Sequence, residues 1–299
     1  MQISEMLGRI VTGKVTDEND QNYFVQVDGA TFLLNKTEIQ KPLKLGSQFK
    51  GFAYENETHH MQLTRNAPKV QVDHYAFGTV VRTQHNLGVF VNIGLPNKDI
   101  VVSVDDLPTI AEIWPQTGDQ LMIAIRVDSK HRMWGVLADE EIFQAIAQPG
   151  NKHMMNRDVE VIPYRLKMAG TRVISKGYQL GFVHPSERER EPRLGEPLKA
   201  RVIGIHQDGS LNLSLKPRAY QAIDDDSAML YAALQHSQTG SLPFTDKSNP
   251  DEIKAYFGLS KGAFKRAVGH LLKDRQIVQK DGQISLVEAA VNDQEHPED

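Results

Sequence analysis

Gly181-Phe182-Val183-His184-Pro185-Ser186-Glu187 is followed in this chain by Val202-Ile203-Gly204-Ile205 and then by Leu211-Asn212-Leu213-Ser214-Leu215. Each piece is short and rich in β-branched or large apolar residues, and the first breaks off in a small polar cluster. The set therefore reads as strands joined by turns. With Val159-Glu160-Val161 and Arg172-Val173-Ile174 upstream and Leu198 leading into Val202, it supplies five strands, enough for one small barrel.

The same order occurs twice more towards the N-terminus. Ala76 to Val81, Leu87 to Ile93, Asp99 to Val102, Leu121 to Val127 and Met133 to Leu137 form one set. Arg9 to Val15, Tyr23 to Val27, Thr31 to Leu34, Gln48 to Ala53 and Met61 to Thr64 form the other. Self-similarity at a fixed spacing marks tandem domains. Asp139 to Ala147 reads as a short helix between the second and third sets, closed by Pro149-Gly150.

Beyond residue 218 the period changes. A helical stretch from about Asp226 to His236 precedes the loop Thr239 to Phe244. Asn249-Pro250 opens a second helix that Gly258 ends, and Ser260 caps a third in which Phe264, Val268, Leu271 and Leu272 form an apolar stripe. Asp281-Gly282 is a two-residue hairpin signal. Helices followed by a hairpin make a winged helix. The expected divisions are 1–66, 67–150 and 151–218 for the barrels, 219–290 for the winged helix and 291–299 for an acidic tail. The expected fold is mostly β with an α+β C-terminus.

Composition limits the function. The chain has 299 residues, 40% of them hydrophobic, and no cysteine, which excludes disulfides and thiolate metal sites. Met1 to Met6 lacks the features of a signal peptide, and no apolar run is long enough to span a bilayer. A cytoplasmic protein with no membrane partner is expected. The net charge of −4 is unevenly spread: residues 1–151 carry 13 Lys+Arg against 18 Asp+Glu, residues 152–218 carry 13 against 7, and residues 247–281 carry 8 against 4. Phosphate contacts are expected in the two basic segments.

Catalytic motifs are missing: there is no phosphate-cradling Gly-Lys-Ser/Thr loop, no His-Glu-x-x-His and no nucleophile elbow. Asp224-Asp225-Asp226 reads as an acidic run before a helix, favoured by the positive dipole end, and His59-His60 as a turn pair. A non-catalytic protein without cofactor or metal is expected.

Gly181 to Glu187 and Leu211 to Ser214 resemble the signatures of the S1 domain, a five-stranded OB-fold barrel that binds RNA. Three S1-type repeats followed by a winged helix resemble the bacterial conserved virulence factor B family, and the likeness covers almost the whole chain. It implies an RNA-binding regulatory protein. In S1 domains the ligand face is made by two aromatics around the second strand, a His after the third, and an acid and a base bracketing the turn into the last. The matching positions are Leu87, Phe90, Ser103, Asp128 and Arg132 in the second repeat. In the third they are Ala169, Arg172, His184, His206 and Ser210, and in the first Gln21, Phe24, Asn35, Asn56 and His60.

Alternation places Arg132 and Trp134 outward with Met133 inward. An outward Trp is either a stacking platform or an interdomain contact, and stacking is favoured. In the third repeat Arg165, Lys167, Arg172 and Lys176, with Tyr178 nearby, are candidates for RNA contact, against a reading as solvated surface. His184 is a candidate ligand or a structural hydrogen bonder. Phe24 lies in acidic surroundings, and its barrel is expected to pack against a neighbour or partner. Lys261, Lys265 and Arg266 on the third helix and Lys280 on the wing are expected phosphate contacts. The primary expectation is a regulatory protein that holds single-stranded RNA on its tandem barrels, with phosphate contacts from the winged helix, and acts on gene expression after transcription. The alternatives are a winged-helix DNA-binding transcription regulator and a docking adaptor on the ribosome or RNA polymerase.

Overall fold

The computed structural model describes residues 2–217 and 219–287. The expected acidic tail and the end of the 219–290 segment lie outside the described residues. A short helix, α1 (Ile3–Met6), leads into β1 (Ile10–Glu18), β2 (Asn22–Val27), β3 (Ala30–Asn35), β4 (Gln48–Glu55) and β5 (Met61–Thr64), which close a barrel in the order β1-β2-β3-β5-β4. The second barrel uses β6 (Ala76–Gln84), β7 (Gly88–Asn92), β8 (Ile100–Ser103), β9 (Gln120–Val127) and β10 (Met133–Leu137) in the same cyclic order. After α2 (Glu140–Ile146) the third repeats it with β11 (Asp158–Lys167), β12 (Gly170–Ser175), β13 (Leu180–Val183), β14 (Leu198–Ile205) and β15 (Leu211–Ser214).

The first strand of every barrel runs further than the sequence pattern indicates. Each carries a register shift at one place, between Val15 and Asp17, between Val80 and Arg82, and between Pro163 and Arg165. A bulge resets the inside-outside alternation, so a period-two reading stops there although the strand continues. Pro163, which lacks a donor for a sheet ladder, sits at the bulge.

The barrels are joined by polar contacts as well as apolar ones. Phe52 and Tyr54 of β4 are fully buried and belong to the core of the second barrel. Gln62 Oε1 accepts from both Asn56 Nδ2 and Asn97 Nδ2 at 3.0 Å, and Asn97 Oδ1 accepts from the Tyr54 hydroxyl at 2.8 Å. Thus the first barrel packs against its neighbour, one of the two outcomes its acidic surroundings indicated.

Between the second and third barrels Asp139 caps α2 by accepting from Ile142 N, and Phe143 stacks on Tyr164 with centroids 4.0 Å apart. Arg193 forks onto Asp119, with Nε and Nη2 donating at 2.9 and 3.0 Å. The chain divides into two compact units, the first ending at Lys216 and the second beginning at Pro217.

The C-terminal unit contains α3 (Ala219–His236), β16 (Ser241–Leu242), α4 (Pro250–Phe257), α5 (Lys261–Lys273), β17 (Ile277–Lys280) and β18 (Gln283–Leu286), with sheet order β16-β18-β17. This is a winged helix, and it corrects the sequence reading at three points. The helix α3 is already running at Ala219, so Asp224 to Asp226 lie within it rather than before it; Pro217-Arg218 offers no capping residue to mark the start. The Thr239 to Phe244 loop contains β16, which two residues of pattern cannot reveal. Leu272 is exposed, and Ala267 takes its place beside Phe264, Val268 and Leu271 in the core.

Asp119 is almost wholly buried, with its side chain 3% exposed. Removing one member of a buried ion pair leaves an uncompensated charge. Arg193→Met should lower the stability of the barrel unit by about 3 kcal/mol, read as a lower urea midpoint in tryptophan fluorescence, since Trp114 and Trp134 both belong to the second barrel. An unchanged midpoint would contradict the role given to this pair.

Candidate nucleic-acid interface

Barrel closure lines up four residues from four strands on the outside of each barrel. In the second, Arg82 lies opposite Phe90, Phe90 opposite Val101, and Val101 beside Trp134. The equivalent row in the third is Arg165, Arg172, Phe182 and Asn212, and in the first Asp17, Phe24, Leu33 and Gln62. The rows start at the bulge in all three. Gly88 lets β7 approach β8 closely: its φ is +135°, and a Cβ there would stand 1.9 Å from the Val102 carbonyl oxygen.

The second barrel holds the most developed face. Phe90 and Trp134 are half-buried while Val89, Val91, Met133 and Gly135 are buried, so the aromatics lie outward as alternation predicted for Trp134. The Arg82 guanidinium stands 3.7 Å from the Phe90 ring centroid and that of Arg132 stands 5.4 Å from Trp134. Asp128 organises the turn into β10. Its Oδ1 accepts from the backbone N–H of Lys130 (2.8 Å) and Arg132 (3.0 Å), and its Oδ2 from Arg132 Nε (2.7 Å) and Trp134 Nε1 (3.1 Å). Burial alone would raise the Asp128 carboxyl, but the four hydrogen bonds outweigh it and hold the group well below the usual carboxylate range. Phe90, Asp128, Arg132 and Trp134 are thereby brought together.

A cavity of about 350 Å³ opens on this face. Arg82, Phe90, Lys98, Arg132 and Trp134 line it, and the first barrel contributes Glu55, Glu57 and His59. Sequence reasoning missed Arg82 and Lys98, because nothing in the local pattern pairs Arg82 with Phe90 until the bulge is known. It missed the glutamates because they come from the neighbouring barrel. A more open cavity of about 730 Å³ lies at the Arg9–Asp73 ion pair, and none of the outer-row residues lines it.

The third barrel uses its basic residues differently. Arg165 and Arg172 both pair with Glu140, the first residue of α2, and Lys176 pairs with Glu160. Lys167 is exposed at the β11–β12 turn, and Tyr178 is exposed with φ +65°. Phe182, read in the sequence only as part of a family signature, is a half-buried aromatic in the outer row. His184 is exposed and caps a 3₁₀ turn, its Nδ1 accepting from Ser186 N at 3.2 Å. Asn35 and Ser103 cap the equivalent turns in the other barrels, so a structural task belongs to this position whatever else His184 does.

In the winged helix Ser260 caps α5 by accepting from Ala263 N, which starts the helix at Lys261. Lys265 and Arg266 are exposed, with Lys265 Nζ 3.7 Å from Asp246. Lys280 is exposed at the wing, where Asp281 (φ +51°) and Gly282 (φ +84°) make the turn.

Three closed barrels and a winged helix define a multidomain protein of S1 type. A model described as "S1 domain" matches residues 7–66, "CvfB first S1-like domain" residues 75–136, "Virulence regulatory factor CvfB, second domain" residues 143–217 and "CvfB-like winged helix domain" residues 228–286. Conserved virulence factor B of Staphylococcus epidermidis is 38% identical over 276 residues, which cover 88% of this chain and 91% of that protein. The Staphylococcus aureus protein of the same description is 38% identical over 263 residues, 87% of this chain and 86% of that one. A crystal structure of a multidomain protein with nucleic acid binding domains from Streptococcus pneumoniae is 45% identical, covers 95% of this chain and 99% of its own, and superposes with a TM-score of 0.70. The chain belongs to the conserved virulence factor B family.

Because Asp128 is held low, its charge supports the turn at every pH above the ordinary carboxylate value, and that support is lost as pH falls through the lowered value. Asp128→Asn should be less stable than the parent at neutral pH, with the gap constant down to about pH 5 and narrowing only below about pH 4. Urea midpoints across pH measure this. A gap that already narrows between about pH 7 and pH 5 would contradict it.

Proposed function

We propose that the chain binds single-stranded RNA without catalysis and regulates gene expression after transcription. The observation that carries this reading is the row Arg82, Phe90, Val101 and Trp134 on the second barrel, with Arg132 set against the indole by Asp128. Outward-facing aromatics beside guanidinium groups stack bases of any sequence, and every stacked base contributes about 1 to 3 kcal/mol. The third barrel adds Lys167, Lys176, Tyr178 and His184, next to Arg165 and Arg172, which pair with Glu140. Lys261, Lys265, Arg266 and Lys280 add phosphate contacts from the winged helix. The nucleic acid binding domains described for the Streptococcus pneumoniae protein support the ligand class, and the regulatory description of the family supports the role.

Fluorescence anisotropy with a labelled uridine tract tests the reading. Affinity should be measurable and should fall steadily as salt rises from about 50 to about 200 mM. Trp134→Ala should weaken binding by about 1 to 3 kcal/mol, roughly five- to 150-fold. Absence of binding, or indifference to both salt and Trp134→Ala, would contradict the proposal. Tighter binding to duplex DNA than to the tract would favour the transcription regulator.

A further inference from the structure

The cavity beside Trp134 carries carboxylates that contact with a phosphate backbone does not explain. One wall is the stacking surface of Phe90 and Trp134 with Arg82 and Arg132. The first barrel provides Glu55, Glu57 and His59, and Asp99 lies with Lys98 on the second barrel. Like charges repel, so a lining that served phosphates alone would gain nothing from Glu55 and Glu57. Glu55 is half-buried and shares a hydrogen bond with His59 Nδ1 at 2.9 Å. Glu57 is exposed and has no ion-pair partner among the described residues.

The turn that follows Glu55 and bears Glu57 is fixed. Asn56 Oδ1 accepts from Thr58 N (3.0 Å), Thr58 Oγ1 (2.8 Å) and His60 N (2.9 Å). Glu57 N donates to the Asn97 carbonyl at 3.1 Å, and the Gln62 amide bridges Asn56 and Asn97. The acidic turn of one barrel is thus held at the aromatic face of the next. A volume of about 350 Å³ lies at the small end of ligand sites, which span about 300 to 1000 Å³.

A carboxylate beside a stacking platform has one best nucleobase partner. Guanine presents adjacent N1–H and N2–H donors on its Watson–Crick edge, which match the paired oxygens of a carboxylate. Adenine presents the N1 lone pair instead, uracil one N–H between carbonyls, and cytosine an amino group beside the N3 lone pair. We propose that this cavity receives a single guanine base of the bound strand, stacked on Trp134 and read by the carboxylates of Glu55 and Glu57. The inference rests on the reading of the chain as a single-strand RNA binder, and it gives the first barrel a part in recognition. Arg82 and Lys98 supply the positive charge for the flanking phosphates.

The test is anisotropy with four uridine decamers whose central residue is U, A, C or G. The guanine decamer should bind about tenfold tighter than the others. In an E55Q/E57Q variant the four should converge to within about twofold, while the all-uridine decamer binds as well as before or better, which also shows that the variant is folded. Equal binding of all four by the parent chain overturns the guanine assignment and leaves the RNA reading standing. A guanine preference that survives in E55Q/E57Q overturns the assignment to these carboxylates. Absence of binding to all four overturns both this inference and the reading beneath it.

Discussion

The outer face of the second barrel depends on two rungs of parallel pairing, Trp134 with Val101 and Gly135 with Val102. This pairing brings the last strand beside the third and closes the ring of strands. Gly135 permits it, since a Cβ there would meet Val102 Cγ2 at 2.9 Å. With the ring closed, residues 82, 90, 101 and 134 stand in one line although they are scattered over more than half the repeat. The other barrels close in the same way, through Leu33 with Gln62 and Phe182 with Asn212. One backbone scheme therefore carries three different rows, and the side chains decide what each can do.

The first barrel shows how such a row is diverted. Its last member, Gln62, joins Asn56, Asn97 and the Tyr54 hydroxyl in a network at the junction with the second barrel. A buried polar group left without its partner costs about 1 to 3 kcal/mol, so a network that is satisfied in one docking penalises the others. The third barrel is diverted less completely. Its segment holds a charge excess of 13 basic over 7 acidic residues, yet Arg165 and Arg172 meet Glu140 and Lys176 meets Glu160. The second barrel keeps two half-buried aromatics, each with its own guanidinium, on one face.

Legibility in the sequence followed the range of the interactions. The Gly181 to Glu187 segment and the restarting strand pattern announced the barrels, and Asp281-Gly282 announced the wing, because turns and alternation are local. The outward placement of Trp134 and Arg132 was also local, set by Met133 pointing in. The far ends of β1, β6 and β11 were hidden by bulges that break the period. Arg82 was missed for the same reason, as its partnership with Phe90 crosses a bulge. Glu55, Glu57 and the amide network arise from packing between barrels, for which the sequence of either barrel alone carries no sign. The family resemblance supplied positions and order. It left open that position 184 is a cap, which became visible only beside Asn35 and Ser103.

The central claim is that a single strand lies across the outer row of the second barrel. Photocrosslinking of an RNA tract containing 4-thiouridine, followed by peptide mapping, reports the contacted face without any substitution in the protein. The account predicts crosslinks on the peptides bearing Phe90 and Trp134. Crosslinks confined to the winged helix or to the outer face of the first barrel, with those two peptides unmodified, would contradict it.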